Sequence, residues 1–412
     1  MKPTIDRERL ISEIETLAGF SDAEAPAVTR VVFTAPDLRA RKWLIERFTE
    51  AGLEIRQDAI GNSFARWVGS AASDAVVGTG SHVDAIPNAG KYDGVVGVLG
   101  GLEAIRGLQR SGFRPRRSIE LVMFTSEEPT RFGIGCLGSR MLSGALSAEA
   151  AAALSDADDA TLEEVTGKAG FGGDLRGVRL PEGYYRAFVE LHIEQGPLLE
   201  QQKIPLGVVT RIAAPATLRI TVEGSGGHAG GVLMPDRRDA LCAAAEFILA
   251  IENSARASGA VDTVATVGTC DVFPGAVNSI PSRVRFSVDL RDTNLPRRDE
   301  VLDRIDASMR NIAKKRQVAI ESQLLHADAP ADCAPEVIGA LSDSCRKHGE
   351  AFVPIVSRAY HDSLFISRIA PAGMLFIPCR HGYSHRPDEY ASPEDIARGT
   401  LILAETLANL SS

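Results

Sequence analysis

Four glycines follow an aspartate at near-helical spacing in the stretch GSHVDAIPNAGKYDGVVGVLGG, residues 80–101, where a helix is expected to begin. These glycines are Gly94, Gly97, Gly100 and Gly101. Glycine costs about 1 kcal/mol of helix propensity relative to alanine, so its repetition indicates that another backbone segment or a ligand approaches the helix closely. The polar side chains of His82, Asp84 and Asp93 precede the helix. A chemical role for these three side chains would explain why the cost is tolerated.

Strand and helix patterns alternate through the first half of the chain. The predicted helices are 36–52 and 94–111, and the predicted strands are 75–82, 118–125 and 187–196, with a hairpin over 53–69 and a helical excursion over 146–180. Such alternation is typical of an α/β fold in which helices cover a mostly parallel sheet. We therefore predict an α/β main domain built on a mostly parallel sheet.

The pattern changes near residue 213. The predicted order is then strand 217–223, helix 237–256, strands 262–270 and 284–291, helix 297–315 and strand 317–325. This β-α-β-β-α-β order is that of a small ferredoxin-like α+β domain. Helix and strand patterns of the first kind resume afterwards. We therefore predict a discontinuous main domain, residues 1–212 and 328–412, with an inserted domain at residues 213–327.

Composition excludes several classes of protein. The chain has 412 residues, which is too long for one ordinary core. Its net charge is −9, which argues against a nucleic-acid partner, and it has no run of eighteen apolar residues that could span a membrane. The first twenty residues show helical periodicity rather than a signal sequence. The six cysteines lack CxxC spacing, so we expect free thiols and a cytoplasmic protein.

Histidines and carboxylates lie at four predicted strand ends of the main domain. They are His82 with Asp84 and Asp93, the pair Glu127 and Glu128, His192 with Glu194, and His385. Ligand sites of open α/β sheets gather at the carboxyl ends of strands, and mixed imidazole and carboxylate donors suit Zn, Mn, Ni or Co. A lone histidine at a strand end is usually only a hydrogen-bonded polar residue, and adjacent acids usually face solvent. The combination favours a centre of two metal ions.

Seven motifs carry a resemblance over essentially the whole chain. They are SHVDAIPNAGKYDG, FTSEEPTRFG, ELHIEQGPLLE, GGHAG, NSIPS, DLRD and GYSHRPDE. In this order they resemble the amidohydrolase branch of the M20 metallopeptidase superfamily. The resemblance implies the two-domain form described above, with the inserted domain acting as a lid and as a dimerisation surface.

The resemblance also implies the metal ligands. His82 and His192 would hold one divalent ion, Glu128 and His385 would hold the other, and Asp93 would bridge both. Spacing alone leaves open which of the two adjacent glutamates binds metal. The resemblance assigns Glu127 as the general base that takes a proton from the attacking water and passes it to the leaving amine. It implies that Asp84 orients an imidazole ligand.

The inserted domain would complete the active site of a neighbouring subunit, which makes the protein a homodimer. By the same resemblance, His228 would stabilise the oxyanion, and Asn278 and Arg291 would hold the substrate carboxylate. The sequence leaves open a simple ion pair of Arg291 with Asp289 or Asp292. In the main domain, Gln195 would contact the ureido end of the substrate.

Two stretches distinguish groups within the branch. SRAYHDS (357–363) and GGHAGGVLMP differ from the SGAGHDA and GHAGTTPM of carbamoylases and allantoate amidohydrolases, and they resemble ureidoglycolate amidohydrolases. Tyr360 would shrink the pocket, and His361 would form part of its wall. The resemblance implies hydrolysis of a small ureido acid, (S)-ureidoglycolate, with two Mn²⁺ or, second, Zn²⁺ ions per subunit. N-carbamoyl-L-amino-acid hydrolysis and allantoate hydrolysis are the alternatives.

Overall fold

The structure, a computed structural model, describes residues 3–71 and 74–412. Residues 1–2, which fall within the predicted domain range 1–212, and residues 72–73 lie outside this description. Contacts divide the chain into two compact units. Unit 1 comprises Met1–Thr210, Asp332–Ser357 and His361–Ser412, and unit 2 comprises Arg211–Ala331 and Arg358–Tyr360.

Strands and helices alternate along the described chain. The strands are β1 (Val28–Arg30), β2 (Glu54–Gln57), β3 (Ser63–Trp67), β4 (Val76–His82), β5 (Ala85–Ala89), β6 (Ile119–Phe124), β7 (Tyr185–Ile193), β8 (Leu206–Ile212), β9 (Ala214–Glu223), β10 (Gly227–His228), β11 (Val264–Phe273), β12 (Ser279–Ile280), β13 (Arg283–Asp292), β14 (Ala319–Ala327), β15 (Ala331–Asp332), β16 (Phe352–Ser357) and β17 (Ala372–Ile377). The helices are α1 (Arg7–Ala18), α2 (Ala35–Glu50), α3 (Val95–Arg110), α4 (Leu137–Ser143), α5 (Ala148–Ala152), α6 (Leu162–Lys168), α7 (Leu198–Gln202), α8 (Ala240–Arg256), α9 (Leu295–Arg316), α10 (Pro335–His348), α11 (Asp362–Ile366) and α12 (Pro393–Ser411). Short 3-10 helices cover Leu175–Val178, Met234–Asp236 and Arg380–Gly382.

A nine-stranded mixed sheet forms the centre of unit 1. Its order is β15-β8-β17-β7-β4-β6-β3-β2, and β16 pairs with β8. The four strands β17, β7, β4 and β6 run parallel, whereas β2 with β3, β3 with β6, and β8 with β17 are antiparallel pairs. The sheet is therefore mixed, and the prediction of a mostly parallel sheet is wrong outside these four strands. Periodicity identifies a strand but does not name its partner, and a hairpin joins its strands antiparallel.

The parallel strands bring their carboxyl ends to one edge of the sheet. β4, β6 and β17 are buried along their whole length, as expected for strands covered by helices on both faces. β4 ends at His82, and β7 ends directly after His192. The segments that follow β6 and β17 carry the other candidate ligands. The sequence order of strands and helices thus places the polar strand ends together.

Close packing requires glycine at two positions at the start of α3, Gly94 just before the helix and Gly97 in its first turn. A Cβ at Gly97 would lie 2.6 Å from the carbonyl oxygen of Leu191, and one at Gly94 would lie 2.4 Å from His82 Nε2. Gly94 also has φ +65°, a conformation that favours glycine. The helix therefore begins directly against the β4 and β7 strand ends, and Asp93 stands just before it.

Unit 2 has the β-α-β-β-α-β order. Its four-stranded antiparallel sheet runs β11-β13-β9-β14, and α8 and α9 pack against it. Alternate residues of β9 and β13 are buried against these helices, including Leu218, Ile220 and Phe286. The period-two pattern of these strands is that of a sheet with one covered face.

The structure also describes the state of the cysteines and the apolar character of the helices. The six cysteines are free thiols, as predicted, and four of them are buried. Within the described residues, we find no helix with the length and apolar character needed to cross a membrane.

Candidate metal centre

Asp93 is surrounded by three imidazoles at the carboxyl edge of the unit 1 sheet. Its Oδ1 lies 3.2 Å from His192 Nε2 and 3.7 Å from His82 Nε2. Its Oδ2 lies 3.3 Å from His385 Nε2, which in turn lies 3.2 Å from Glu128 Oε1. The two carboxylate oxygens of Asp93 therefore face two different groups of donors.

These donors form two sets that share Asp93. One set is His82, Asp93 and His192, the other is Asp93, Glu128 and His385, and the ligand atoms of each set lie within 4.8 Å of one another. Imidazole and carboxylate donors of this number fit a pair of Mn²⁺- or Zn²⁺-type cations. The five side chains that the resemblance implies as ligands are thus brought together by the fold.

The tautomers of two histidines also suit a metal. His82 Nδ1 lies 3.0 Å from the carbonyl oxygen of Asp84, and His192 Nδ1 lies 2.9 Å from the carbonyl oxygen of Ile193. Because a carbonyl only accepts, each Nδ1 carries the proton in these bonds. Nε2 of each ring, on the side of the shared aspartate, is then the atom that would bind a cation once it has lost its proton, and Gly94 N lies 3.2 Å from His192 Nε2.

Hydrogen bonds set the pKa of the central carboxyl. Burial alone would raise it, but the bonds from His192, His385 and His82 hold the pKa of Asp93 well below its usual range. Burial alone would likewise lower the pKa of His385, but Asp93 and Glu128 raise it to about 11. The centre is therefore a concentration of negative charge that positive groups compensate, which is the electrostatic condition for binding cations.

The two glutamates after β6 point to different partners. Glu127 Oε2 lies 3.8 Å from His82 Nε2, whereas Glu128 faces His385. The carboxylate of Asp84 accepts bonds from the backbone N of both glutamates, at 3.2 and 3.0 Å, and its Oδ1 lies 3.7 Å from His82 Nδ1. Asp84 thus holds the backbone of the glutamate pair with its carboxylate, and its backbone carbonyl makes the hydrogen bond to His82 Nδ1.

Several buried groups around the centre carry no sequence signal of their own. Cys136 Sγ donates to Glu127 Oε1 at 3.2 Å, and burial raises the pKa of this thiol well above its ordinary value. Asp362 is fully buried and accepts a bond from Ser139 at 2.5 Å; burial and the charge of Glu190 raise its pKa to about 8. Contacts between residues so distant in the chain cannot be read from spacing.

Gln195 lies beside the shared carboxylate. Its Nε2 donates to Asp93 Oδ2 at 2.7 Å and lies 3.3 Å from Ser384 Oγ, while its buried Oε1 has no hydrogen-bond partner among the described residues. An acceptor without a donor in the protein is a position from which a ligand N–H can be bound. Glu194, by contrast, accepts from Leu198 N and Leu199 N and caps a short helix.

His361 is also buried near the centre. Its Nε2 lies 3.0 Å from Ser357 Oγ, and its ring centroid lies 4.5 Å from that of His192. Together with Glu190 and His192 it forms a third group of potential ligand atoms within 4.8 Å. His361 therefore packs edge-on against an imidazole of the first donor set.

The predicted residues of unit 2 occupy its loops and sheet. His228 and Asn278 are exposed, and the backbone N of Ala229 donates to the carbonyl of Asn278 at 2.8 Å. Arg291 donates to both carboxylate oxygens of Asp289, at 2.7 and 3.0 Å, which is one of the ion pairs that the sequence left open. Its guanidinium also lies 5.1 Å from the centroid of the Tyr360 ring.

Comparisons with known proteins find relatives over almost the whole length of the chain. The sequence profile of the peptidase family M20/M25/M40 matches residues 78–409. The chain is 50% identical to "Ureidoglycolate hydrolase" of Oryza sativa subsp. japonica over 99% of its length and 85% of the relative's, and 38% identical to "N-carbamoyl-L-amino acid amidohydrolase" of Geobacillus stearothermophilus over 99% of both. Crystal structures of AtUAH in complex with glyoxylate and with (S)-hydroxyglycine each match with a TM-score of 0.95 at 49% identity, covering 100% of this chain and 99% of theirs.

Proposed function

Because the chain belongs to the peptidase family M20/M25/M40, we propose that it is a metal-dependent amidohydrolase that cleaves the ureido C–N bond of (S)-ureidoglycolate. Water adds to the ureido carbonyl carbon, and the bond from this carbon to the nitrogen on the α-carbon breaks. The products are hydroxyglycine and carbamate, which decay to glyoxylate, carbon dioxide and two molecules of ammonia. The proposal is supported above all by a complete donor set beside Glu127 in a chain this similar to a ureidoglycolate hydrolase.

Five side chains would hold the two cations. His82 and His192 would bind one, Glu128 and His385 the other, and Asp93 both. Divalent cations at such positions supply Lewis-acid polarisation of a water and of the carbonyl oxygen. Mn²⁺ is our first choice and Zn²⁺ the second, since both accept imidazole and carboxylate donors.

Glu127 would be the general base and later the general acid. Its Oε1 is occupied by the Cys136 thiol, while its Oε2 faces His82, so Oε2 is the atom placed to take the proton of the attacking water. The same oxygen would return the proton to the nitrogen of the leaving hydroxyglycine. Burial raises the pKa of Glu127 well above its ordinary value, as do its carboxylate neighbours, and this favours a carboxyl that can carry a proton between the two steps.

The substrate's polar ends would be bound by several groups. The unpartnered Oε1 of Gln195 suits an N–H of the ureido group. His228 would stabilise the oxyanion, and Asn278 with Arg291 would bind the carboxylate. Tyr360 and His361 would restrict the pocket to a small ureido acid.

The unit 2 residues would act in the neighbouring subunit of a homodimer, with unit 2 as the lid and dimerisation domain. Apart from Val68 and Tyr390, every exposed large apolar side chain of the described residues lies in unit 2, including Met234 and the fully exposed Val277. This uneven distribution supports the assignment of the intersubunit surface to unit 2. Val277 and Met234 flank the loops that carry Asn278 and His228 in the sequence.

A substrate panel tests the function. The protein, stripped with a chelator and reloaded with Mn²⁺, is incubated with (S)-ureidoglycolate, allantoate and an N-carbamoyl-L-amino acid, and ammonia and glyoxylate are assayed. We expect two ammonia and one glyoxylate per ureidoglycolate consumed. Turnover of the N-carbamoyl amino acid without glyoxylate release from ureidoglycolate would instead support the activity for which the Geobacillus relative is named.

A further inference from the structure

Glu389 is a buried carboxylate without a role in the mechanism above. Its residue is only 4% exposed, and it lies in the segment between β17 and α12. Its Oε1 accepts bonds from the backbone N of Tyr92 at 2.8 Å and of Asp93 at 3.1 Å, residues nearly 300 positions earlier in the chain. It belongs to neither of the two donor sets.

Its second oxygen reaches the loop that carries His385. Glu389 Oε2 lies 2.9 Å from Ser384 Oγ, and that hydroxyl lies 2.7 Å from Asp93 Oδ2. One carboxylate is therefore connected both to the backbone of the shared aspartate and, through one serine, to its side chain. Glycine at position 90 leaves room for the Glu389 side chain, because a Cβ there would lie 2.4 Å from Glu389 Oε1.

The two donor sets differ in how much support they need. His82 and His192 lie on buried strands of the parallel sheet. His385 lies on a loop, its side chain is 46% exposed, and its φ of +60° is unfavourable for a residue other than glycine. A strained, exposed ligand keeps its position only when neighbouring bonds hold it.

Glu389 also holds the turn that leads into α3. Gly94, the residue before α3, has no side chain and offers no cap bond. By accepting the N–H groups of Tyr92 and Asp93 just before this helix, the Glu389 carboxyl satisfies two buried backbone donors. The orientation of Asp93 is thereby fixed from outside its own segment.

We propose that Glu389 is a positioning residue that holds Asp93 and the His385 loop in register, so that the cation site of Asp93, Glu128 and His385 depends on it more than the other site does. This inference rests on the proposed pair of cations. A side chain that contacts neither cation would therefore determine whether a cation binds to Asp93, Glu128 and His385.

Titration of the chelator-stripped protein with Mn²⁺, followed by calorimetry, tests the inference. Glu389→Ala should weaken one of the two Mn²⁺ sites by about 10–100-fold, the usual cost of losing a partner that orients a ligand, and leave the other within a few-fold. Glu389→Gln should retain most of the affinity, because its amide oxygen can accept both backbone bonds and its NH2 can donate to Ser384. Asp388→Ala is the matched control, since the exposed Asp388 bonds Arg386, and it should bind Mn²⁺ as the wild type does.

Several results would contradict the positioning role of Glu389. Two unweakened Mn²⁺ sites in Glu389→Ala, an equal loss in Asp388→Ala, or a loss in Glu389→Gln as large as in Glu389→Ala would overturn the inference. If Glu389→Ala fails to fold, Ser384→Ala removes only the bridging hydroxyl and should still weaken one site, whereas unchanged binding would count against the inference. A wild-type protein that binds no Mn²⁺ would contradict the proposed cation pair itself, which is a separate failure.

Discussion

Replacing Gly94 with alanine should disturb both folding and metal binding, because two features of the structure forbid a side chain there. A Cβ would lie 2.4 Å from His82 Nε2, whereas ordinary contacts begin at 3.4 Å, so the imidazole must move by about 1 Å. The φ of +65° adds strain of roughly 1–3 kcal/mol for a residue other than glycine. We therefore expect a loss of about 2 kcal/mol, which lowers Tm by roughly 3 °C for a unit of about 290 residues with an unfolding entropy of about 2.1 cal/mol/K per residue.

Metal binding should suffer more than stability. Ligand distances are held within about 0.2 Å in metal sites, so a displacement of about 1 Å removes His82 as a ligand. Mn²⁺ affinity of the site with His192 should then fall by at least about tenfold. Thermal unfolding and Mn²⁺ titration measure the two effects.

The matched control is Gly167→Ala in α6. A Cβ at Gly167 meets nothing within 4 Å, and alanine is favoured over glycine in a helix by roughly 0.5–1 kcal/mol. This substitution should raise Tm slightly and leave Mn²⁺ binding unchanged. Wild-type Tm and Mn²⁺ affinity in Gly94→Ala would refute the reasoning from close approach.

Three further predictions concern the chemistry. Glu127→Gln should lower kcat by about 10²–10⁴-fold, because it removes the general base. Elemental analysis should find the wild-type metal content, because Glu127 is not a ligand. A wild-type kcat in this variant would show that Glu127 is not the base. Mixing Glu127→Gln with Arg291→Ala subunits should restore roughly a quarter of wild-type activity, because half of randomly mixed dimers carry one complete site, and an absence of any recovery would contradict exchange of Arg291 between subunits. Mn²⁺ binding near pH 7 should release protons and weaken as pH falls, because the pKa of His385 is about 11 in the metal-free protein and the imidazole must be neutral to bind metal. Calorimetry in buffers of different ionisation enthalpy measures the released protons. Identical heats in these buffers would show that no proton is released.

The sequence predicted the elements of the fold better than their pairing. The glycines of 94–101 indicated a close approach, and the Cβ positions at Gly94 and Gly97 show that the approaching groups are an imidazole and a strand carbonyl. The predicted helix 94–111 is α3, Val95–Arg110. The direction of β3 against β6 could not be predicted, because a half-buried strand has the same period in parallel and antiparallel pairs.

The candidate site was predictable where residue types are diagnostic. Histidines and carboxylates at strand ends indicated a metal centre, and the fold brings five of them together. The supporting bonds were not predictable. Glu389 reaches Asp93 across nearly 300 residues, and the Asp84 carboxylate bonds the backbone of the two glutamates. Such contacts depend on tertiary packing, which leaves no periodic signal in the chain.

The most direct test measures metal content and turnover together. The chelator-stripped protein is titrated with Mn²⁺, and ureidoglycolate hydrolysis is recorded against the bound metal determined by elemental analysis. The account predicts no hydrolysis without metal and full activity at two ions per chain. Full hydrolysis by a preparation that contains no divalent metal would contradict it.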